Sequence, residues 1–140
     1  MPSITGQVGV ILTVRDVERS AAWYVELLGM EVRYSHVADD GTTHYVCLDH
    51  PTVSLDLCLV SHAAGLGDQF SEHRAGLDHL EFLVATHEDL VGWAERLDEL
   101  CVAHSGVREL TYTRNSMVTF RDPDNIQLEF FWRAPTDRSG

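Results

Sequence analysis

Residues 8–29, VGVILTVRDVERSAAWYVELLG, decide the fold because the spacing of apolar residues changes within them. Alternate positions from Val8 to Val14 are apolar, and a period of two predicts a β-strand. After Asp16, a residue type that favours helix N-caps, apolar residues recur every three or four positions until Gly29, a type that favours helix ends. The stretch is therefore predicted to form a strand followed by an amphipathic helix.

Three further strands are predicted after this helix, over residues 31–38, 43–48 and 53–60. Sequences typical of turns separate these three runs of strand-forming residues. The first half of the chain therefore has the predicted order βαβββ. Residues 61–77 are rich in Gly, Ala, Ser and His and show no regular period, which predicts a connecting segment.

The same order returns in residues 78–99, DHLEFLVATHEDLVGWAERLDE, which again predict a strand and then a helix that begins after Thr86. Three more strands are predicted over 103–111, 115–121 and 126–132. An offset of 70 residues superposes the two strand–helix openings, and an offset of 73 superposes the last strands, so that Asp56 falls on Glu129. The sequence is therefore predicted to be an internal repeat of two βαβββ modules.

The length of 140 residues suits one domain of the α+β class. Within it we predict module one over 5–60, a connection over 61–77, module two over 78–133 and a short tail over 134–140.

Polar side chains occupy the strand positions that the apolar core leaves free. In a strand, alternate residues face opposite sides of the sheet, so the polar positions of four strands are predicted to converge on one open face. Carboxylates and an imidazole in a half-enclosed cavity are costly without a partner, and a divalent cation would satisfy them. The residues at these positions are Gln7, Gly9, Asp56, His79, Glu81, Gln127 and Glu129.

Charge and cysteine content exclude several classes of function. Ten basic residues against 22 acidic ones give a net charge of −12, which disfavours nucleic acid and anionic membranes as partners. All the basic residues are Arg, which excludes lysine Schiff-base chemistry. No signal peptide or membrane span is indicated. The three cysteines, Cys47, Cys58 and Cys101, are odd in number and widely spaced, which predicts buried thiols in a reducing cytoplasm.

Four short motifs occur along residues 7–132. They are Val14-Arg15-Asp16, Leu27-Leu28-Gly29, Leu77-Asp78-His79-Leu80, and Arg121-Asp122-Pro123-Asp124-Asn125 followed by Leu128-Glu129. With these motifs the chain resembles the vicinal oxygen chelate superfamily, which includes glyoxalases, bleomycin-resistance proteins and extradiol dioxygenases. The resemblance implies two βαβββ modules that form a cupped mixed sheet with helices on its outer face, and it implies a homodimer.

Carried over position by position, the resemblance implies that His79, Glu129 and Asp56 are metal ligands. Gly9 stands where metal-binding members have His or Gln, and Asp56 has an alternative interpretation as a solvated residue on the face of a strand. Fe(II), Mn(II), Ni(II) and Zn(II) all suit such a donor set.

Three residues are further candidates for binding a substrate. Gln7 shares the strand parity of Gly9, although a shift of about 6–7 Å along the strand separates the two positions. Glu81 shares the parity of His79 and is a candidate partner or general base. Arg114 precedes a strand that is predicted to border the cavity, where it would meet a substrate anion.

Three functions stay open. The leading one is a cytoplasmic metal-dependent isomerase or lyase, in which the ion chelates two oxygens of a small substrate and stabilises an oxyanion, with Glu129 or Asp56 as catalytic base. The second is a metal-free protein that binds a small molecule, like the bleomycin-resistance branch, and Gly9 favours it. The third is a dioxygenase, which Gly9 and Asp56 disfavour.

Overall fold

The structure of the protein, a computed structural model, describes residues 1–4, 9–65 and 67–136. The chain divides into two compact units, Met1–Asp68 and Gln69–Gly140. The first unit contains the predicted module one and the second contains the predicted module two. The predicted connection is shared between them.

Module one has the predicted order βαβββ. Its elements are β1 (Gly9–Thr13), α1 (Val17–Leu28), β2 (Glu31–Val37), β3 (Thr43–Asp49) and β4 (Asp56–His62). The sheet order is β1-β4-β3-β2, and β1 runs parallel to β4 while the other neighbours are antiparallel.

Module two repeats this arrangement. Its elements are β5 (Leu80–Val84), α2 (His87–Glu99), β6 (Arg108–Glu109), β7 (Ser116–Arg121) and β8 (Gln127–Trp132). The sheet order is β5-β8-β7-β6, with β5 parallel to β8. The α+β class and the repeated βαβββ order are therefore confirmed. Neither helix of the described residues is long and apolar enough to span a membrane.

Two predicted strands are shorter than expected. Strand β4 begins at Asp56 rather than at residue 53, because the Leu55 N–H donates to the Val53 carbonyl (2.9 Å) in a tight turn. The predicted strand over 103–111 is reduced to Arg108–Glu109, because Gly106 adopts a φ of 71° that turns the chain out of an extended path.

Local signals place the helices where the sequence predicts them. Asp16 accepts a hydrogen bond from the Arg19 N–H (3.0 Å) at the start of α1, and Gly29 ends that helix with a φ of 69°. Thr86 and Asp89 form a reciprocal capping box at the start of α2.

Each helix packs against the strands of its own sheet. In module two, the ring of Trp93 on α2 stacks on Phe130 of β8 at 4.4 Å, and Leu128 is fully buried. Because side chains alternate along a strand, Glu129 between them faces away from the helix. The core therefore fixes which side chains of β8 are available for a site.

The prediction that the three cysteines are buried thiols is wrong, because Cys101 is exposed and the other two are bonded to each other. Cys47 and Cys58 lie directly opposite each other in the β3–β4 ladder and form a disulfide. The spacing of the cysteines in the sequence did not indicate this, because the pairing depends on the hairpin register. Cys101 is free and exposed.

Thiol titration tests this pairing. In denaturant without reductant, each chain should expose one reactive thiol, that of Cys101, and Cys101→Ser should expose none. After reduction, wild type should expose all three thiols of the sequence. Three reactive thiols in fresh protein that was never treated with reductant would contradict the disulfide.

A set of polar contacts ties the segment before β5 to the turn between β7 and β8. Arg121 donates to the two carboxylate oxygens of Glu72 at 2.8 and 3.1 Å. The Phe70 N–H donates to the Asp124 carbonyl (3.1 Å), and the Asn125 amide donates to the Phe70 carbonyl (3.1 Å). Part of the predicted connection is therefore held against the turn that leads into β8.

The Glu72–Arg121 pair predicts a pH-dependent stability. Its hydrogen bonds lower the pKa of Glu72 to about 2, from 4.5. A carboxyl whose pKa is depressed on folding stabilises the fold above its unfolded pKa, and the stabilisation is lost as the pH falls through the folded value. At pH 7, the urea concentration at the midpoint of unfolding should therefore be lower for Glu72→Gln than for wild type. The difference between the two midpoints should shrink as the pH falls from 4.5 to 2.

The matched control is Glu99→Gln, which removes the carboxylate of an exposed pair with Arg96 within α2. Exposed pairs of this kind contribute little to stability, so this variant should resemble wild type. A Glu72→Gln difference that is the same at pH 2 and pH 7 would contradict a role for the carboxylate charge.

Candidate metal centre

Three potential metal ligands converge in module two. His79 immediately precedes β5, Glu81 lies within β5, and Glu129 lies directly opposite Glu81 in the parallel β5–β8 ladder. Residues two apart on a strand share a face, so His79 and Glu81 project to the same side. One ligand atom of each of the three side chains lies within 4.8 Å of the others. These residues form the triad discussed below.

The three members of the triad differ in burial. Glu129 is only 7% exposed, whereas the side chains of His79 and Glu81 are each 34% exposed. A buried carboxylate is costly unless a charge or a hydrogen-bond donor satisfies it. Glu129 therefore forms the inner end of the triad, and His79 and Glu81 lie closer to solvent.

Burial and the neighbouring charges shift the two inner ionisable groups. Burial raises the pKa of Glu129, the positive charge of His79 opposes that shift, and the carboxylate of Glu81 adds to it. The hydrogen bond to Asp78 raises the pKa of His79, and burial acts in the opposite direction. Without a cation, the pKa values of Glu129 and His79 are therefore both shifted upward from their ordinary values.

The donor set suits a divalent first-row metal. One imidazole nitrogen and two carboxylates are ligand types that Zn(II), Mn(II), Fe(II) and Ni(II) accept in proteins. Three protein ligands leave coordination positions for a substrate, which is the arrangement of catalytic rather than structural metal sites. The residues present therefore fit a cation that would supply the missing positive charge.

Module one differs from module two at the corresponding positions. Ile11 and Glu81 each lie five residues before the cap of their helix. Ile11 pairs with Cys58, and Glu81 pairs with Glu129. The residue of module one that corresponds to Glu129 is therefore Cys58, whose sulfur is bonded to Cys47.

The same registers correct the predicted superposition of the last strands. With the first strands aligned at an offset of 70, the ladders place Asp56 on Gln127, at an offset of 71 rather than 73. Gly9 still corresponds to His79. The three positions of the triad are therefore Gly9, Ile11 and Cys58 in module one, and none of them carries a carboxylate or an imidazole.

Asp56 has a charge partner within its own module. Its Oδ1 lies 3.2 Å from Nη1 of Arg33, and its side chain is half-buried. Because Asp56 and the triad belong to different modules, its role as metal ligand and catalytic base stays a prediction. The repeat no longer supports that role.

The other predicted site residues, Glu81, Arg114 and Gln7, do not all lie in the triad. Glu81 lies within the triad itself rather than beside it, a placement that the two-residue spacing from His79 could have suggested. Arg114 lies in the turn between β6 and β7, where its φ is 61° and its N–H donates to the Leu110 carbonyl (2.8 Å). Gln7 lies outside the described residues. Substrate binding by Arg114, Gln7 and Glu81 stays a prediction.

The family model of the Glyoxalase/Bleomycin resistance protein/Dioxygenase superfamily matches residues 6–130. The chain belongs to this superfamily. The resemblance to the vicinal oxygen chelate superfamily is thereby confirmed, and the match spans both modules and all three members of the triad.

Solved structures of other superfamily proteins are similar to this chain. A glyoxylase/bleomycin resistance protein/dioxygenase domain from Frankia sp. EAN1pec is 36% identical, with a TM-score of 0.82 and coverage of 94% of this chain and 100% of that one. A glyoxalase family protein from Enterococcus faecalis is 23% identical, with a TM-score of 0.67 and coverage of 89% and 94%.

A fosfomycin resistance protein, FosX, from Listeria monocytogenes, solved with Mn(II) and sulfate, is 19% identical, with a TM-score of 0.70 and coverage of 99% and 100%. Because the Enterococcus and Listeria proteins are less than 25% identical to this chain, their structures support its fold alone. No curated protein shows significant similarity to the chain.

Burial of Glu129 should lower the stability of the metal-free protein when its carboxyl group is ionised. A carboxyl whose pKa is raised on folding stabilises the fold below its unfolded pKa, here 4.5, and loses that contribution as the pH rises through the folded value. In chelator, Glu129→Gln should therefore gain stability relative to wild type as the pH rises from 4 to 7. Urea unfolding monitored by fluorescence measures the difference.

Glu95→Gln is the control, because Glu95 is exposed on α2 and its substitution should leave stability unchanged across the same pH range. A Glu129→Gln variant that loses stability relative to wild type as the pH rises would contradict the cost assigned to the buried charge.

Proposed function

We propose that this protein is a metal-dependent enzyme that acts on a small substrate with neighbouring oxygen atoms. The observation that carries the proposal is the convergence of His79, Glu81 and Glu129 within 4.8 Å. The Mn(II) in the structure of FosX from Listeria, a protein of the same fold, also supports a first-row divalent cation. Fe(II), Ni(II) and Zn(II) suit the same ligands.

His79 and Glu129 would hold the cation, with Glu81 as the third ligand. A divalent cation bound there would act as a Lewis acid that polarises oxygen atoms of the substrate. Glu129 faces away from α2 and is held by the β5–β8 ladder, so its carboxylate is fixed without any contribution from a flexible loop. A rigid ligand of this kind favours precise placement of the substrate.

Proton transfer is assigned to the carboxylates of the triad. Glu81 and Glu129 lie close to each other and to His79. A carboxylate beside the cation can accept a proton from the substrate as a general base. This favours an isomerase or lyase that moves a proton next to a polarised oxygen.

The remaining parts of the proposal concern the surroundings of the site. Arg114 is the proposed contact for a substrate anion, Asp56 is a second proposed base, and the proposed assembly is a homodimer.

The proposed compartment is the cytoplasm. The Cys47–Cys58 disulfide weighs against it, because disulfides are rare in reducing compartments.

Metal analysis tests the proposal. Protein equilibrated with Mn(II) and passed through a desalting column should retain about one ion per chain, because the three ligands converge on one site. His79→Ala and Glu129→Ala should retain none, and Glu81→Ala should retain less than wild type.

The control for these variants is Glu109→Ala, which removes an exposed carboxylate of β6 outside the triad and should retain the ion. This control matters because the net charge of −12 attracts cations to the surface without a site. Wild type that retains none of Mn(II), Fe(II), Ni(II) and Zn(II), or a His79→Ala variant that retains the ion fully, would rule out the metal-dependent enzyme.

A metal-free protein that binds a small molecule is the second candidate. Gly9, Ile11 and Cys58 favour it, because module one offers no ligand at the positions that correspond to the triad. This candidate predicts that His79→Ala leaves the affinity for the bound molecule unchanged. A dioxygenase is disfavoured, since the triad has one imidazole and two carboxylates rather than the two imidazoles and one carboxylate of non-haem iron oxygenases.

A further inference from the structure

The imidazole of His79 is held on the side opposite the triad. Oδ1 of Asp78 lies 2.6 Å from Nδ1 of His79, a short hydrogen bond to an exposed carboxylate. An ionised carboxylate can only accept, so Nδ1 must carry the hydrogen. On the other side of the ring, Nε2 lies 4.0 Å from Oε2 of Glu81. The two ring nitrogens therefore have separate partners.

This arrangement determines which nitrogen of the neutral ring has a free lone pair. With the hydrogen on Nδ1, the lone pair is on Nε2, the atom that faces Glu81. A neutral imidazole without such a partner can place its hydrogen on either nitrogen. Carboxylates that accept from the second nitrogen of a metal-binding histidine fix its tautomer and its orientation, and their removal typically costs 10–100-fold in metal affinity.

Another histidine of module two has the opposite arrangement. His104 accepts at Nδ1 from the Gly106 N–H (3.0 Å), and its Nε2 lies 2.9 Å from Oδ1 of Asp98. Because Nδ1 of His104 is an acceptor, its hydrogen lies on Nε2. The module therefore holds two histidines, each beside an aspartate, in opposite tautomers.

We propose that Asp78 is a positioning residue that holds His79 as the Nδ1–H tautomer and thereby presents Nε2 as the ligand atom of the triad. The identity of what Nε2 binds rests on the proposed function, whereas the tautomer itself does not. Asp78 acts through His79 and does not itself touch a substrate.

Long-range ¹H–¹⁵N spectra of metal-free protein test the tautomer directly, at a pH where both rings are neutral. Wild type should show His79 as Nδ1–H and His104 as Nε2–H, and the missing signals of His79→Gln identify the first ring. Asp78→Asn should keep the His79 tautomer, because the amide oxygen still accepts, whereas Asp78→Ala should give a mixture of both tautomers. Asp98→Ala, the matched control, should leave His79 unchanged.

Calorimetric titration with Mn(II) tests the consequence. Asp78→Ala should weaken Mn(II) binding about 10–100-fold, Asp78→Asn should weaken it less, and Asp98→Ala should bind like wild type. The graded response of the two Asp78 variants separates positioning from general damage to the fold.

Two results would overturn the proposal. The first is an unchanged His79 tautomer in Asp78→Ala, and the second is a changed tautomer with unchanged Mn(II) affinity. If wild type binds none of Mn(II), Fe(II), Ni(II) and Zn(II), the proposed function fails, and the spectra alone then decide whether Asp78 sets the tautomer.

Discussion

The parallel pairing of the first and last strands of module two is the constraint on which the site depends. It places Glu81 opposite Glu129, and the strand period then brings His79 to the same face. The core enforces this register, because a shift of one residue would turn Glu129 toward α2 and expose Phe130. The cost of moving a large aromatic side chain out of the core therefore protects the geometry of the polar triad.

The two modules show how one fold can carry different chemistry in its two halves. Both have the same strand order and the same parallel pair of strands. At the three matched positions, however, module two has an imidazole and two carboxylates, whereas module one has Gly9, Ile11 and a cysteine engaged in a disulfide. The fold therefore provides the position, and the side chains decide whether that position can hold an ion.

Local sequence signals predicted most of the fold. The periods of two and of three to four residues, together with the caps Asp16 and Thr86, located the helices and most of the strands, because these features depend only on neighbouring residues. The length of β6 was overestimated because Gly106 interrupts a run that otherwise has the composition of a strand. A glycine in such a run signals an interruption that the apolar pattern does not reveal.

Features that depend on register could not be predicted in the same way. The Cys47–Cys58 pair and the match of Cys58 to Glu129 follow from which residues face each other across strands, and spacing in the sequence does not determine this. The superposition of Asp56 on Glu129 was displaced by two residues for the same reason. For the site, the sequence indicated His79 and Glu129 as ligands and Glu81 as a nearby partner or base, and the parallel register places Glu81 directly opposite Glu129.

Diffraction data collected at the manganese absorption edge, from crystals grown with Mn(II), would locate the ion relative to the triad. We expect one strong anomalous peak per chain, within coordination distance of Nε2 of His79 and of a carboxylate oxygen of Glu129. Binding of the cation by the triad would be contradicted if the peak lay elsewhere on the surface. It would also be contradicted if no peak appeared between His79 and Glu129 at saturating Mn(II).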